Sequence, residues 1–93
     1  MGDWRVDNAE FTKGFAFSWR RYIAPRPSWD HDHCEGCMVK FAQYEGEDIL
    51  HEGYASDDRY KERPGYFDWV CADCFRDLKA EMAWTLTAPS SDA

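Results

Sequence analysis

Aromatic residues alternate with small or polar residues near the start of the chain. Phe15, Phe17 and Trp19 occupy every second position of the segment 14–23. Side chains on one face of a β-strand recur with a period of two, so this pattern predicts a strand with one aromatic face. Two prolines in the segment 24–28 end the strand, because proline has no N–H group for pairing with a neighbouring strand.

Three shorter strands are predicted downstream, from segments rich in strand-forming residues. They lie at 38–42, 49–54 and 66–70. The second of them is predicted to be the return strand after a turn at Gly46. The segment 55–63 is strongly charged and is predicted to be a loop. Pro64 and Gly65, which follow it, fit the two central positions of a type II turn.

The hydrophobic period changes after residue 74. Phe75, Leu78 and Met82 recur at spacings of three and four, with charged residues between them. This spacing predicts an amphipathic helix of about three turns. Asp73 lies near the start of the helix, where a negative charge suits the positive end of the helix dipole.

Short antiparallel strands followed by one C-terminal helix predict a small α+β fold. The chain has 93 residues, so we expect one domain over residues 1–93. The polar segments 1–10 and 87–93 are expected to be flexible, the first of them as a loosely ordered lead-in. A core of this size is marginal by itself, and the fold needs another source of stability.

Sixteen aromatic residues are available for that core. Those predicted to be buried are Phe15, Phe17, Trp19, Phe41, Trp69, Phe75 and Trp84. One small core cannot hide all sixteen, so some aromatics are expected on the surface, where they can contact a partner. The candidates for exposure are Trp4, Trp29 and Tyr60.

Hydropathy and the N-terminal sequence predict a cytoplasmic protein. The mean hydropathy is −0.74, and the sequence has no apolar run near 18 residues, so no membrane span is predicted. Residues 1–7 lack the basic start and apolar stretch of a signal peptide.

The charge of the chain is unevenly distributed. The formal net charge is −7, with +2 on residues 1–27 and −9 on residues 28–93. An acidic chain is a poor general binder of nucleic acid, whose phosphates attract a basic surface. The acidic part is either an ordinary solvated surface or a face that meets a basic partner.

The cysteines form two C-x2-C pairs. Cys34 and Cys37 make the first pair and Cys71 and Cys74 the second, with 33 residues between the pairs. Two such pairs can complete a tetrahedron of sulfurs, so we predict that all four cysteines bind one structural Zn²⁺. A disulfide framework and a redox C-x2-C pair are the other readings of this spacing.

Iron is the alternative metal, because rubredoxin-type sites also use two C-x2-C pairs. The run Asp68-Trp69-Val70-Cys71 is somewhat similar to such sites. Met38 and Phe75, however, follow the two pairs where those sites resemble C-x2-C-G, and Ala72 stands where C-P-x-C-G has proline. A rubredoxin-like electron carrier therefore stays as a second reading.

A run of acidic and histidine residues precedes the first cysteine pair. It consists of Asp30, His31, Asp32 and His33. These side chains are expected to hydrogen-bond to the backbone around Cys34 or to help orient this ligand. A direct ligand role for His31 or His33, a second metal site in the run, and a plain solvated surface are the alternatives.

Two enzyme signatures are matched only superficially. His33-Cys34-Glu35 with Cys71-Ala72-Asp73-Cys74 imitates the zinc deaminase motif, but Val70 replaces its proline. Asp30-His31 is similar to the start of an HNH nuclease motif, but it precedes the cysteine pairs instead of lying between them. No nucleophile or acid–base pair is indicated, so no enzyme is predicted.

The motifs together resemble a treble-clef zinc finger, which has a knuckle, a hairpin and a helix that starts at the second cysteine pair. The segments 29–37, 51–54 and 69–75 also resemble small uncharacterised bacterial zinc-binding proteins. The resemblance covers about residues 14–86. It implies a treble-clef-like zinc domain without a known activity.

The predicted function is a non-enzymatic zinc-stabilised module that binds another protein through its acidic and aromatic surface. The partner is expected to be basic, as a toxin neutralised by an acidic immunity-type protein would be. The rival reading is nucleic-acid binding through Arg20, Arg21 and Arg26 with neighbouring aromatics. The edge of the first strand can pair with a second copy, so both a monomer and a homodimer are compatible with the sequence.

Overall fold

A computed structural model describes residues 3–87. In chain order its elements are α1 (Trp4–Ala9), a 3-10 turn (Glu10–Thr12), β1 (Ala16–Arg21), β2 (Asp32–His33), β3 (Lys40–Phe41), β4 (Ile49–Leu50), β5 (Glu52–Ser56), β6 (Asp68–Val70), α2 (Ala72–Met82) and β7 (Thr85–Leu86). The described residues thus combine helices with two small sheets, in agreement with the predicted mixture of helix and strand.

The larger sheet has the strand order β6-β5-β1-β7. β5 pairs antiparallel with β1 on one side and with β6 on the other. β7 runs parallel to the start of β1, with Leu86 opposite Phe17. The strands predicted at 14–23 and 66–70 are confirmed in shorter form, and β7 is a strand that the sequence pattern did not predict.

The smaller sheet has the order β2-β3-β4 and corrects one prediction. β3 lies within the strand predicted at 38–42, but the return strand predicted at 49–54 is divided between two sheets. Its first part, β4, pairs parallel with β3, and its second part joins the larger sheet as β5. Gly53 permits this crossing, because a Cβ atom there would lie 2.6 Å from the ring of Phe41.

The charged loop and its turn are close to prediction. β5 extends to Ser56, so the loop begins at Asp57 and not at residue 55. At its end the N–H of Tyr66 donates to the carbonyl oxygen of Arg63 over 3.1 Å. Gly65 has φ +89° at the third position of that turn, as a type II turn requires.

The predicted amphipathic helix is confirmed as α2. Its buried positions include Phe75, Leu78 and Met82, the three residues whose spacing predicted it. The helix ends in a left-handed residue, Ala83 with φ +54°, and the N–H of Trp84 donates back to the carbonyl oxygen of Lys79. This hydrogen bond turns the chain sharply into β7.

The segment 1–10 was predicted to be a loosely ordered lead-in, and the structure corrects this with the helix α1. The side chain of Asp3 caps α1 by accepting from the N–H of Arg5 over 2.9 Å. Ala9 on the inner side of the helix is completely buried. Residues 1–2 and 88–93, including most of the predicted flexible tail, lie outside the described residues.

The aromatic core lies between α2 and the larger sheet and continues under the smaller sheet. Five of the seven predicted core aromatics are buried. They are Phe17, Phe41, Trp69, Phe75 and Trp84. Phe15 is half-buried, and Trp19 is a correction, since its side chain is 43% exposed. Trp19 lies on a strand surface that α2 covers only in part, and its ring packs edge-on against Tyr54.

Of the three aromatics predicted to be exposed, the structure confirms one. Trp4 is exposed, whereas Trp29 and Tyr60 are half-buried. Trp29 packs against Tyr66 and donates its indole N–H to Asp32 over 2.9 Å. Among residues 3–87, no helix is long and apolar enough to cross a membrane.

Candidate metal centre

The structure brings together all four cysteines that the sequence singled out. Their Sγ atoms lie within 4.8 Å of one another. The Sγ atoms of Cys37 and Cys71 are 3.7 Å apart, and all four cysteines are free thiols. Tetrahedral zinc with Zn–S bonds of about 2.3 Å separates its sulfurs by about 3.8 Å. The four sulfurs can therefore bind one metal ion.

The first pair is held in the tight turn between β2 and β3. The N–H of Cys34 donates to the carbonyl oxygen of Val39 over 2.8 Å, and the N–H of Met38 donates back to that of Cys34 over 3.0 Å. Met38 adopts a left-handed conformation, with φ +72°. These bonds close the turn so that both thiols lie on its inner side.

The second pair is brought to the first by β6. The N–H of Glu35 donates to the carbonyl oxygen of Trp69 over 2.8 Å, and Cys34 forms a parallel bridge with the same residue. Because Trp69 lies two residues before Cys71, this contact places the second pair beside the first, although 33 residues separate the two pairs in sequence.

The second pair also begins α2. Cys71 is its N-cap residue, and its sulfur accepts from the N–H of Cys74 over 3.4 Å. Cys74 lies in the first turn of the helix and is completely buried. The positive end of the helix dipole favours negative charge on both sulfurs.

Further N–H donors surround the sulfur of Cys34. It accepts from the N–H of Gly36 over 3.4 Å and from that of Cys71 over 3.3 Å. Space is also tight at Gly36, since a Cβ atom there would lie 3.1 Å from the sulfur of Cys74. Such N–H donors stabilise the thiolate form of a metal ligand.

Hydrogen bonds inside the cluster set the proton affinities of its thiols. The pKa of Cys34 is lowered, because the side chains of Cys71 and Cys74 and backbone N–H groups donate to its sulfur. The same contact with Cys34 raises the pKa of Cys71 to about 12 and also raises the pKa of Cys74. Four thiolates this close together repel one another, so the cluster needs a cation to share their charge.

The helix α1 covers the centre, a contact that the sequence analysis missed. The guanidinium of Arg5 lies 3.8 Å from the sulfur of Cys74, held between the carboxylates of Asp3 at 2.6 Å and Asp77 at 3.1 Å. The side-chain amide of Asn8 donates to the carbonyl oxygen of Gly36 over 2.8 Å. Asp3 at a capping position, before a run of residues 4–13 without glycine or proline, was the signal that could have predicted this helix.

The Asp30–His33 run lies beside the centre and outside the cluster of sulfurs. Among the described residues, the group with metal-ligand geometry consists of cysteines alone. Asp32 accepts from the hydroxyl of Tyr22 over 2.8 Å and so anchors β2 to the core. His31 contacts Asp30 over 2.6 Å, and its ring lies 4.7 Å from that of His33. Within residues 3–87 the side chains of the run bond to Tyr22, Trp29, Tyr44 and one another, and not, as predicted, to the backbone around Cys34. The run therefore holds β2 in place and lies outside the group of metal-binding geometry.

A buried carboxylate lies behind the first pair. Asp68 is 1% exposed and forms two hydrogen bonds with the guanidinium of Arg59, over 2.7 and 3.2 Å. Burial, followed by the charge of Asp68, raises the pKa of neighbouring Glu35 to about 8. The sequence analysis missed this group, although an acidic residue inside the apolar segment 66–70 was a visible signal.

One side of the centre is open. A cavity of about 440 Å³ is lined by Cys37, Cys71, Val39, Leu50 and others, and it leaves Cys37 only half-buried. This cavity is the route by which a metal ion or a chelator can reach the sulfurs.

Comparisons with protein-family models, with curated proteins and with solved structures found no match for this chain. The class of the protein therefore rests on its fold and its site. It is a small chain of mixed helix and strand with a four-cysteine cluster of metal-binding geometry.

Proposed function

We propose that this chain is a non-enzymatic module in which the four cysteines hold one structural Zn²⁺ and the surface binds another protein. The observation that carries the metal proposal is the grouping of the four Sγ atoms within 4.8 Å of one another. When bound, zinc crosslinks the β2–β3 turn to the start of α2 and supplies folding free energy that a small core lacks.

The chemistry of the donor set supports a metal ion over disulfides. A disulfide needs two sulfurs about 2.05 Å apart, whereas Cys37 and Cys71 are 3.7 Å apart. Four thiolates suit zinc, and they also suit iron. The absorption spectrum distinguishes the two, because ferric thiolate is red and zinc thiolate is colourless.

The order of elements around the cysteines supports a treble-clef-like arrangement. The first pair lies in the turn of a two-stranded knuckle, and the second pair lies at the start of a helix. Between them β5 and β6 form an antiparallel pair. Reduced thiols persist in a reducing compartment, so we place the protein in the cytoplasm.

The proposed partner is a basic protein that docks on the acidic loop, residues 44–48. This loop contains Glu45, Glu47 and Asp48, all exposed, and no basic residue. Tyr44, 41% exposed, adds an aromatic side chain at its start. Opposite charges steer a basic partner toward such a loop, and an amphipathic aromatic ring provides contact area.

Native mass spectrometry tests the metal proposal. We expect one zinc ion per chain, and the same mass spectra report whether the chain is a monomer or a homodimer. The absorption spectrum should show no visible colour. Complete removal of the metal by a chelator is expected to abolish near-UV circular dichroism, and readdition of zinc to restore it. An unchanged near-UV signal without metal would contradict a structural role for the metal.

A paired pull-down tests the partner proposal. The triple variant Glu45→Gln, Glu47→Gln, Asp48→Asn removes the charge of the acidic loop. The control variant Asp7→Asn, Glu10→Gln, Glu81→Gln removes three exposed charges elsewhere. We expect basic proteins that bind the wild type and the control at low salt, and that are lost with the loop variant and at high salt. Equal capture by both variants would contradict recognition through this loop.

A further inference from the structure

Four arginines are concentrated on one face of this otherwise acidic chain. They are Arg20, Arg21, Arg26 and Arg63, and all are exposed. The two segments that contain them, 19–29 and 63–67, hold no acidic residue. These segments therefore carry +4 and leave −11 for the rest of the chain.

The two segments lie side by side. Gly65 of the turn lies against Pro25, close enough that a Cβ atom there would be 3.9 Å from the Cα atom of Pro25. The rings of Trp29 and Tyr66 are 5.5 Å apart, edge to face. We call the surface formed by Arg20, Arg21, Arg26, Trp29, Arg63, Tyr66 and Phe67 the arginine face.

Three of these arginines lie over aromatic rings. The guanidinium carbon is 4.7 Å from the ring centroid in the pairs Arg20–Phe67 and Arg63–Tyr66, and 5.6 Å in the pair Arg26–Trp29. A guanidinium stacked on a ring is held in place and still presents its outer plane and its N–H edge.

The N–H donors of these arginines are largely free. Within residues 3–87 none of the four contacts a carboxylate, whereas Arg5, Arg59 and Arg76 each pair with an aspartate. Among the same residues the side chains of the four make a single hydrogen bond, from Nε of Arg20 to the hydroxyl of Ser18. The acidic residues of the chain thus neutralise its other arginines and leave this face positive.

The arginine face also contains a cleft. Its volume is about 310 Å³, and its wall includes Arg20, Arg21, Pro25 and Phe67. A cleft of this size admits a planar ring of nucleobase dimensions.

We propose that the arginine face binds single-stranded nucleic acid. Phosphate groups accept from the free N–H edges of the guanidiniums, and unpaired bases stack on the outer guanidinium planes and on the partly exposed rings. The stacked planes favour nucleic acid over an acidic peptide, because carboxylates use only the edges of a guanidinium. Duplex DNA fits less well, since its bases are already stacked on one another.

The overall acidity of the chain does not prevent this binding at physiological salt. The Debye length there is about 8 Å, so exposed carboxylates farther away than that are largely screened. The local charge of +4 then determines how strongly the face attracts phosphate groups.

Fluorescence anisotropy of a labelled oligothymidylate with the zinc-loaded full chain tests the proposal. Four phosphate contacts give a slope of about −2.8 for log K against log salt, which is about a 50-fold loss of affinity between about 50 and about 200 mM salt. The single variant Arg26→Gln is expected to make this slope shallower by about 0.7. The quadruple variant Arg20→Gln, Arg21→Gln, Arg26→Gln, Arg63→Gln is expected to abolish binding.

A matched variant controls for net charge. Lys13→Gln, Lys61→Gln, Arg76→Gln, Lys79→Gln changes the charge by the same amount at exposed positions outside the arginine face. We expect this control to reduce affinity less than threefold. Equal losses in the two quadruple variants would overturn the proposal, provided that zinc content and circular dichroism are unchanged in both.

Two further arms test the kind of ligand. Phe67→Leu keeps every charge and is expected to weaken oligothymidylate binding about tenfold with an unchanged salt slope, as loss of stacking requires. Equally tight binding of an oligoglutamate peptide, or of duplex DNA of the same length, would overturn the assignment to single strands. Absence of oligothymidylate binding would overturn it as well.

Discussion

The metal centre and the aromatic core hold this chain together by different physical means. In the core, rings such as Phe17, Phe75 and Trp84 pack on one another with centroids 5.2 to 5.8 Å apart. Nothing from outside the chain is needed there, since burial and dispersion supply the free energy. At the centre, four sulfurs converge within 4.8 Å and need a cation before all of them can ionise.

This difference indicates where the fold is most vulnerable. Loss of one large aromatic side chain from the core costs about 3–5 kcal/mol, because its contacts are spread over several neighbours. At the centre, the β2–β3 turn and the start of α2 meet through a few sulfurs and N–H groups, so loss of one ligand affects the whole site. We therefore expect substitutions at the centre to cost more than substitutions of similar size in the core.

The largest effect is expected for Cys74→Ser. This change removes one thiolate from a completely buried position and should abolish stable zinc binding. Because zinc contributes on the order of 10 kcal/mol to the folding of small zinc domains, we expect most of that free energy to be lost. Native mass spectrometry and thermal unfolding measure the two losses.

Ala72→Ser is the matched control for Cys74→Ser. It places a hydroxyl in the same helical turn at an exposed position and keeps all four thiols. We expect normal zinc content and a shift in the free energy of unfolding below about 0.5 kcal/mol. A Cys74→Ser protein that unfolds like this control would show that the centre contributes little to the fold.

The next effect is expected in the core, for Phe17→Ala. Phe17 is completely buried between Phe75 and Trp84, so its removal should cost about 3–5 kcal/mol. Zinc should still bind to the folded protein with a stoichiometry of one. Chemical denaturation with and without a chelator measures both quantities.

Trp19→Ala sharpens the Phe17 prediction, because both residues lie on β1. Trp19 is 43% exposed, and its ring contacts Tyr54 on one edge. We expect a cost of about 1 kcal/mol or less. If both substitutions lower the free energy of unfolding equally, the difference in burial between Phe17 and Trp19 would not determine what each contributes to stability.

Local sequence patterns predicted those parts of the fold that local physics determines. The period of Phe75, Leu78 and Met82 predicted α2, and Pro64-Gly65 predicted a type II turn. The two C-x2-C pairs predicted the convergence of four sulfurs, because spacing alone restricts what such pairs can do.

Contacts between distant segments escaped prediction. The segment 49–54 divides between two sheets, and this division places Gly53 of β5 against Phe41 of β3, more than ten residues away. Burial of Trp19 was predicted wrongly, because alternation shows which side chains share a face and not what covers that face. The cover that α1 provides over the centre depends on Arg5 meeting Asp77, a contact that no local pattern contains.

A smaller effect is expected for Gly36→Ala, which tests how tightly the knuckle packs on the second pair. The added methyl group would lie 3.1 Å from the sulfur of Cys74, so this ligand or the turn must move by a few tenths of an ångström. We expect zinc affinity to fall about 10- to 100-fold, as it does when outer contacts of a metal site are disturbed. Competition with a chromophoric chelator measures this change.

Gly14→Ala is the control for the added methyl group. Gly14 has open space around it but φ +83°, so alanine there is strained by about 1 kcal/mol without contacting the centre. Stability should fall slightly while zinc affinity remains that of the wild type. A parallel loss of zinc affinity in both variants would mean that the affinity reflects global stability and not the packing of the knuckle.

The smallest effect is expected for Asn8→Ala, which tests whether the helix α1 restrains the metal centre that it covers. Asn8 donates to the carbonyl oxygen of Gly36 over 2.8 Å, and loss of one such hydrogen bond costs about 1 kcal/mol. Asp7→Ala, at an exposed neighbouring position on α1, provides the comparison. We expect faster zinc release to a chelator from Asn8→Ala only, because the loosened helix no longer holds Gly36. Equal release rates for the two variants would show that α1 lies over the centre without restraining it.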